Sequence, residues 1–271
     1  MIAPISNLGG TTTKNMKYGI AVLSAIAIRK EMSHRSEQIS QLLFGETYEL
    51  MQKQGSWLSI KCSYDGYEGW IDESQHFELT ERDYLNINGS DAGISLELVN
   101  SAVSSNYSVP VLAGSSLPFF DGMNFKIAKE KFIYNGQAIQ ADARNSAVFE
   151  RVALRYVNAP YLWGGRSPFG IDCSGFTQIV FKFVGIPLLR DAYQQAGQGS
   201  VVNFIEEAQP GDLAFFANEE GHIVHVGIIL KDGRIIHASG KVRIDKIDHF
   251  GIYHAEQKKY SHNLKIIKRI F

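Results

Sequence analysis

Apolar and polar positions change rhythm once along this chain. From Lys17 to about Leu79 the rhythm is short and alternating. Its clearest pieces are Tyr48-Glu49-Leu50-Met51, Trp57-Leu58-Ser59-Ile60 and Tyr67-Glu68-Gly69-Trp70-Ile71, parted by Gln54-Gly55 and Asp65-Gly66. Successive side chains of a strand point to opposite faces, and glycine at the joints takes the backbone conformations tight turns need. The spacing predicts a small barrel of about 60 residues. From Asp91 to Gln140 a second set of short strands predicts a second barrel. Leu96-Glu97-Leu98-Val99 and Phe132-Ile133-Tyr134 read as strands there, and Asn135-Gly136 as a two-residue hairpin turn.

The remainder reads differently. Phe149, Val152, Ala153 and Tyr156 fall at i, i+3, i+4 and i+7, the stripe of an amphipathic helix. Phe176, Ile179, Val180 and Phe183 repeat it, and Gly185 stops that helix. After Pro210-Gly211-Asp212 come strands at Leu213–Phe216, His225–Leu230, Arg234–Ser239 and Leu264–Ile270, with Asp232-Gly233 turning the second into the third. Helices followed by an antiparallel sheet predict an α+β domain. The expected layout is a lead-in over 1–15, carrying Gly9-Gly10-Thr11-Thr12-Thr13, barrels over 16–82 and 83–141, and the α+β domain over 142–271.

Composition narrows the class. The chain has 271 residues, long enough for two or three compact units, and its 45% hydrophobic and 20% charged residues are those of a globular protein. A net charge of -1 provides no field for nucleic acid or anionic lipid, so the partner is expected to be a small or medium molecule met at a cleft. The protein is expected to be a monomer. No run of about 18 apolar residues predicts a membrane span. Met16 through Ile28, with Ala25-Ile26-Ala27, faintly resembles an export signal but reads better as the first strand of the barrel, which favours a cytoplasmic chain.

Of the two cysteines, Cys62 closes an alternating strand and reads as a buried hydrophobe. Cys173 follows Gly170-Ile171-Asp172 and opens the Phe176–Phe183 helix, where free N–H groups and the helix dipole favour a thiolate. A nucleophilic thiol needs a base, and the base an orienting partner. His225 and His237 lie on two strands of one hairpin, twelve residues apart, and can meet on one face, His225 as base and His237 fixing its ring. His34, His249, His254 and His262 are assigned to surface or satisfied core. His222 and His225 have the spacing of a metal pair only on a helix, and no carboxylate completes the set, so no metal and no cofactor are expected.

Tyr161-x-Trp163-Gly164-Gly165, Asp172-Cys173-Ser174-Gly175, Pro210-Gly211-Asp212-Leu213, His225-Val226-Gly227-Ile228 and Ile236-His237-Ala238 together resemble the NlpC/p60 cysteine peptidases, in the family's order, over about residues 143–271. The resemblance implies a papain-like core, a Cys173–His225–His237 triad, and an oxyanion held by Tyr161 and the Cys173 backbone N–H. The N-terminal barrels resemble bacterial SH3-like domains. The whole layout is similar to members that cleave the γ-D-glutamyl–diamino-acid bond of murein peptides with a free N-terminal L-alanine. In such members Asp172 would pair with the substrate ammonium, assisted by Ser174 and a first-barrel aromatic, here Tyr67, with Trp163 beside them and Glu46 as an added carboxylate.

One departure stands out: Leu188-Leu189-Arg190-Asp191-Ala192 has alanine where the family carries a hydroxyl, which alters the ammonium contacts. The expected function is hydrolysis of that γ-D-glutamyl bond through an acyl-enzyme. The alternatives on the same core are a general wall endopeptidase and an amidase or acyltransferase; the alternative of another class is a non-catalytic cell-wall binding protein.

Overall fold

The computed structural model describes residues 17–141 and 146–271. The expected lead-in over 1–15 and the expected boundary at 142 lie outside the described residues.

The first unit is a seven-stranded antiparallel sheet, in the order Gln38–Leu43, Ala25–Arg29, Glu68–Asp72, Trp57–Cys62, Thr47–Gln54, Tyr18–Ile20, Phe77–Leu79. Its turns form as their glycines require: Gly55 and Gly66 have φ of 59° and 70°, conformations open to a residue without a Cβ. The alternation is one-sided, with Ile26, Ile28, Leu58, Ile60 and Ile71 fully buried. Cys62 closes this core. Helix α1 (Glu81–Asn88), capped by the Thr80 hydroxyl, leads out of the sheet.

The second unit pairs Ser108–Leu112, Val99–Val103, Glu130–Tyr134 and Asn124–Ile127 in one sheet, and Ser116–Leu117, Gly93–Ser95 and Ala138–Ile139 in another. Two expectations fail here. Residues 96–98 are the bend between strands, and Asn135-Gly136 links strands of different sheets rather than closing a hairpin. Neither Asn135 nor Gly136 has the positive φ of such a turn. A Cβ at Gly136 would stand 2.5 Å from Asn100 Nδ2 and from the Tyr134 ring, so close packing accounts for that glycine. Phe44, Ile20 and Leu79 of the first unit share a core with Phe125, Phe132 and Tyr134 of the second.

In the third unit α2 (Ser146–Arg155) and α3 (Cys173–Phe183) pack on a seven-stranded antiparallel sheet. The order is Ser200–Val202, Lys259–Arg269, Leu213–Ala217, Ile223–Leu230, Arg234–Ser239, Lys241–Ile247, Gly251–His254, and the last strand returns to pair with Lys259–Arg269. Asp232 and Gly233 both have positive φ, 60° and 62°, as the predicted turn demands. Helix α3 is buried throughout and Gly185, at φ 74°, ends it.

Candidate active site

Asp172 is the N-cap of α3. Its Oδ1 accepts from the Gly175 backbone N–H at 2.7 Å, which fixes the first turn and places Cys173 at its head. The Cys173 thiol lies against the backbone N–H of Val226, the residue after His225. The sequence predicts a thiolate here. Instead burial, with the Asp172 charge second, pushes the thiol up to about 12, outweighing the N–H groups of Val226 and Ser174 and the nearby Arg190 charge. The resting thiol keeps its proton, and a base has to remove it.

A pair of imidazoles lies on the strands that face α3. His225 Nε2 and His237 Nδ1 are 2.8 Å apart, both residues nearly inaccessible to solvent. Gly227 is the register partner of His237, and a Cβ there would come within 2.9 Å of the His237 Cβ, so the glycine gives the second imidazole its room. Burial lowers the pKa of both rings, His225 well below the usual value, so both are neutral and able to accept a proton. His237 Nε2 lies 3.0 Å from Asp245 Oδ2.

His262, assigned from sequence to surface or core, stacks on the His225 ring with centroids 4.1 Å apart and planes inclined 24°. Burial, with His237 beside it, holds its pKa at about 4. The donor atoms of His225, His237 and His262 lie within 4.8 Å of one another. Stacked rings, however, direct their lone pairs into near-parallel planes that do not converge on one ion, and His225 and His237 already spend their facing nitrogens on each other. His222 stands exposed beside Glu220.

In front of the thiol is a cleft of about 550 Å³. Asp172, Cys173, Ser174 and Trp163 line it from the α+β unit, and Ile39, Glu37 and Tyr67 from the first sheet. The Trp163 indole donates to Glu37 Oε1 at 2.7 Å, and Gln38 Nε2 donates to the Trp163 carbonyl at 3.3 Å. Tyr161 is half-buried, and its phenol pKa is raised by burial and then by the charges of Cys173 and Asp172.

Four residues expected to meet substrate have partners within the protein. Asp172 is already paired in the structure: Arg190 grips it through Nη2–Oδ2 at 2.6 Å and Nη1–Oδ1 at 3.1 Å, and the Gly164 N–H donates to it as well. Ser174 joins the same group, its Oγ accepting from Arg190 at 2.9 Å. Tyr67 reaches the cleft, but its hydroxyl donates to Asp191, 3.2 Å from each oxygen. Glu46 lies outside the cleft. Its carboxylate accepts from Arg166 at 2.7 and 3.0 Å, from Lys182 at 2.8 Å and from the Leu43 N–H at 2.9 Å, all buried.

A neutral thiol, a buried neutral imidazole pair and a cleft lined by two units make a site of the cysteine-hydrolase class. The NlpC/P60 family pattern matches residues 158–261, and the pattern of the bacterial dipeptidyl-peptidase Sh3 domain matches residues 28–75. Over 213 residues the chain is 30% identical to a gamma-D-glutamyl-L-lysine dipeptidyl-peptidase of Bacillus subtilis, spanning 73% of this chain and 71% of the relative. A Bacillus cereus protein of the same name is 29% identical over 229 residues, 73% of this chain and 66% of its own. The fold matches an NlpC/P60 family crystal structure from Bacillus cereus with a TM-score of 0.78 at 19% identity, covering 93% of this chain and 99% of that one. The chain belongs to the NlpC/P60 family of cysteine peptidases and carries an SH3-like N-terminal domain.

Proposed function

We propose that this peptidase cleaves the γ-D-glutamyl–diamino-acid bond of short murein peptides whose N-terminal L-alanine is free. The observation that carries the reading is the Tyr67–Asp191 contact. A phenol from the first barrel meets a carboxylate of the peptidase domain in the cleft wall beside Cys173. Asp191 is half-buried and its pKa is raised by burial despite the Arg190 charge, so a substrate ammonium there would supply compensation Asp172 no longer needs. In this reading Tyr67 caps the end of the cleft that takes the free amino terminus. The two relatives named for γ-D-glutamyl-L-lysine cleavage support the same substrate class.

In this reading the third unit is a papain-like catalytic domain from about residue 142, and the N-terminal half comprises two SH3-like barrels. Cys173 Sγ attacks the γ-carbonyl carbon while its proton passes to His225. The Tyr161 hydroxyl and the Cys173 N–H hold the oxyanion, and the amine leaves with the proton from His225. Water, deprotonated by His225, then hydrolyses the thioester and releases L-Ala-γ-D-Glu. The test is mass spectrometry of products from L-Ala-γ-D-Glu-L-Lys and its diaminopimelate counterpart, from both peptides with the amino terminus acetylated, and from intact sacculi. Cleavage of the free peptides alone is expected; equal cleavage of acetylated peptide or sacculi would reduce the enzyme to a general wall hydrolase.

A further inference from the structure

The imidazole pair does not end the chain of hydrogen bonds behind the thiol. On the next strand Asp245 sits diagonally from His237, whose register partner is Arg243. The Asp245 side chain is buried, and its carboxylate is held by Arg243 through Nε–Oδ2 at 2.6 Å and Nη2–Oδ1 at 2.9 Å. Hydrogen bonds from His237 and Arg243 keep Asp245 ionised against its burial, with its pKa below the usual carboxylate range. Arg243 Nη1 is steadied in turn by His254 Nε2 at 2.8 Å.

Resting on the reading of Cys173 and His225 as the reacting pair, we infer that Asp245 is a positioning residue that selects the reactive tautomer of His225 through His237. An ionised carboxylate only accepts, so His237 carries its proton on Nε2. His237 is neutral, so its Nδ1 is bare and accepts from His225 Nε2–H across 2.8 Å. His225 is neutral as well, which leaves Nδ1 as its one unprotonated nitrogen and the only place a thiol proton can go. Of four tautomer combinations for the two rings, the carboxylate admits one. Arg243, with two bonds to the carboxylate, keeps Asp245 from rotating or taking a proton. As His225 becomes an imidazolium, the same carboxylate raises the acceptor strength of His237 Nδ1 where the new charge needs it.

The experiment reads tautomers directly. In ¹⁵N-histidine NMR of full-length Cys173→Ala protein, His225 and His237 are both expected to be protonated at Nε2. Asp245→Asn gives His237 an amide that can donate, so the proton should move to Nδ1 on both rings. In the enzyme with Cys173, kcat of Asp245→Asn should fall about 100-fold at unchanged KM, less than the ~10⁴-fold seen where a carboxylate touches the base itself. In a His237→Ala background the same change should cost under about threefold, because the route is gone. A wild-type spectrum with Nδ1–H on either ring overturns the assignment without any variant. So does a loss of activity in Asp245→Asn that only tracks the folded fraction. Failure of the peptidase reading would look different: the tautomers as assigned, but no cleavage of the γ-glutamyl peptide.

Discussion

Glu46→Ala tests how the SH3-like domain and the peptidase domain are held together. The wild-type carboxylate takes four hydrogen bonds and neutralises two cations, Arg166 and Lys182, whose side chains are 3% and 7% exposed. Burial alone would raise its pKa, but Arg166 and Lys182 bring it down to about 2 from 4.5. A depressed carboxylate pKa is stability present above the unfolded value and lost as pH falls from about 4.5 towards about 2, on the order of 3 kcal/mol for that shift. The Lys182 shift runs the other way, burial lowering its pKa despite Glu46, so the net worth of the cluster is smaller than Glu46 alone implies. Removing the anion and leaving its partners buried costs more than the pair was worth, about 3–5 kcal/mol. At about 2–4 °C per kcal/mol for a chain of this size, Tm at pH 7 should drop by roughly 6–20 °C. Lys182→Met added to Glu46→Ala should recover part of the loss. Because Glu46 lies outside the cleft, KM for a free-amino peptide should hold in the folded fraction. A Tm change under about 2 °C together with a tenfold rise in KM would refute this account and return Glu46 to the substrate.

Cys173→Ala should abolish turnover with folding intact by circular dichroism, whereas Cys62→Ala should retain it, since Cys62 is sealed in the first sheet's core. Asp191→Asn should raise KM for L-Ala-γ-D-Glu-L-Lys about 10- to 100-fold, the worth of one charged hydrogen bond, and leave thermal unfolding nearly unchanged. The acid limb of kcat/KM should lie below 6.5, because burial lowers the His225 pKa and keeps the base unprotonated into mild acid; a limb above 6.5 would contradict that burial. Iodoacetamide should alkylate Cys173 slowly at neutral pH and faster as pH rises, as a thiol held near 12 requires; rapid labelling at pH 6 would instead show a preformed thiolate.

Much of this was legible in the chain because each signal was local. The turn glycines at 55, 66 and 233 and the α3 stripe are set by neighbours a few residues away. So are the hairpin carrying His225 and His237 and the placing of Cys173 at a helix head. What escaped was set by distant partners. Arg190 and Asp172 are 18 residues apart and reveal their pairing only when the segment after α3 folds back. The thiol's protonation was misread because the helix terminus is visible in sequence and the depth of burial is not. His262 meets His225 only because Lys259–Arg269 inserts beside the Leu213–Ala217 strand. Asp245 had a faint signal, Arg243 and Asp245 alternating on one face two residues from each other, but nothing pointed that face at His237.

Gly164 shows what the seam between the units means for inheritance. Its φ is 72°, and a Cβ there would stand 2.3 Å from the Gln38 carbonyl of the first barrel. Two residues on, the corner continues to Arg166, whose backbone N–H donates to Gln41 and whose guanidinium meets Glu46. Recombination that exchanged this barrel for another would have to match a glycine corner, a glutamine backbone and a buried carboxylate together. It would also replace the wall of the cleft that Tyr67 supplies. The SH3-like domain and the peptidase domain are therefore bound to change together, and the shape of the cleft is open to mutations more than a hundred residues upstream of Cys173.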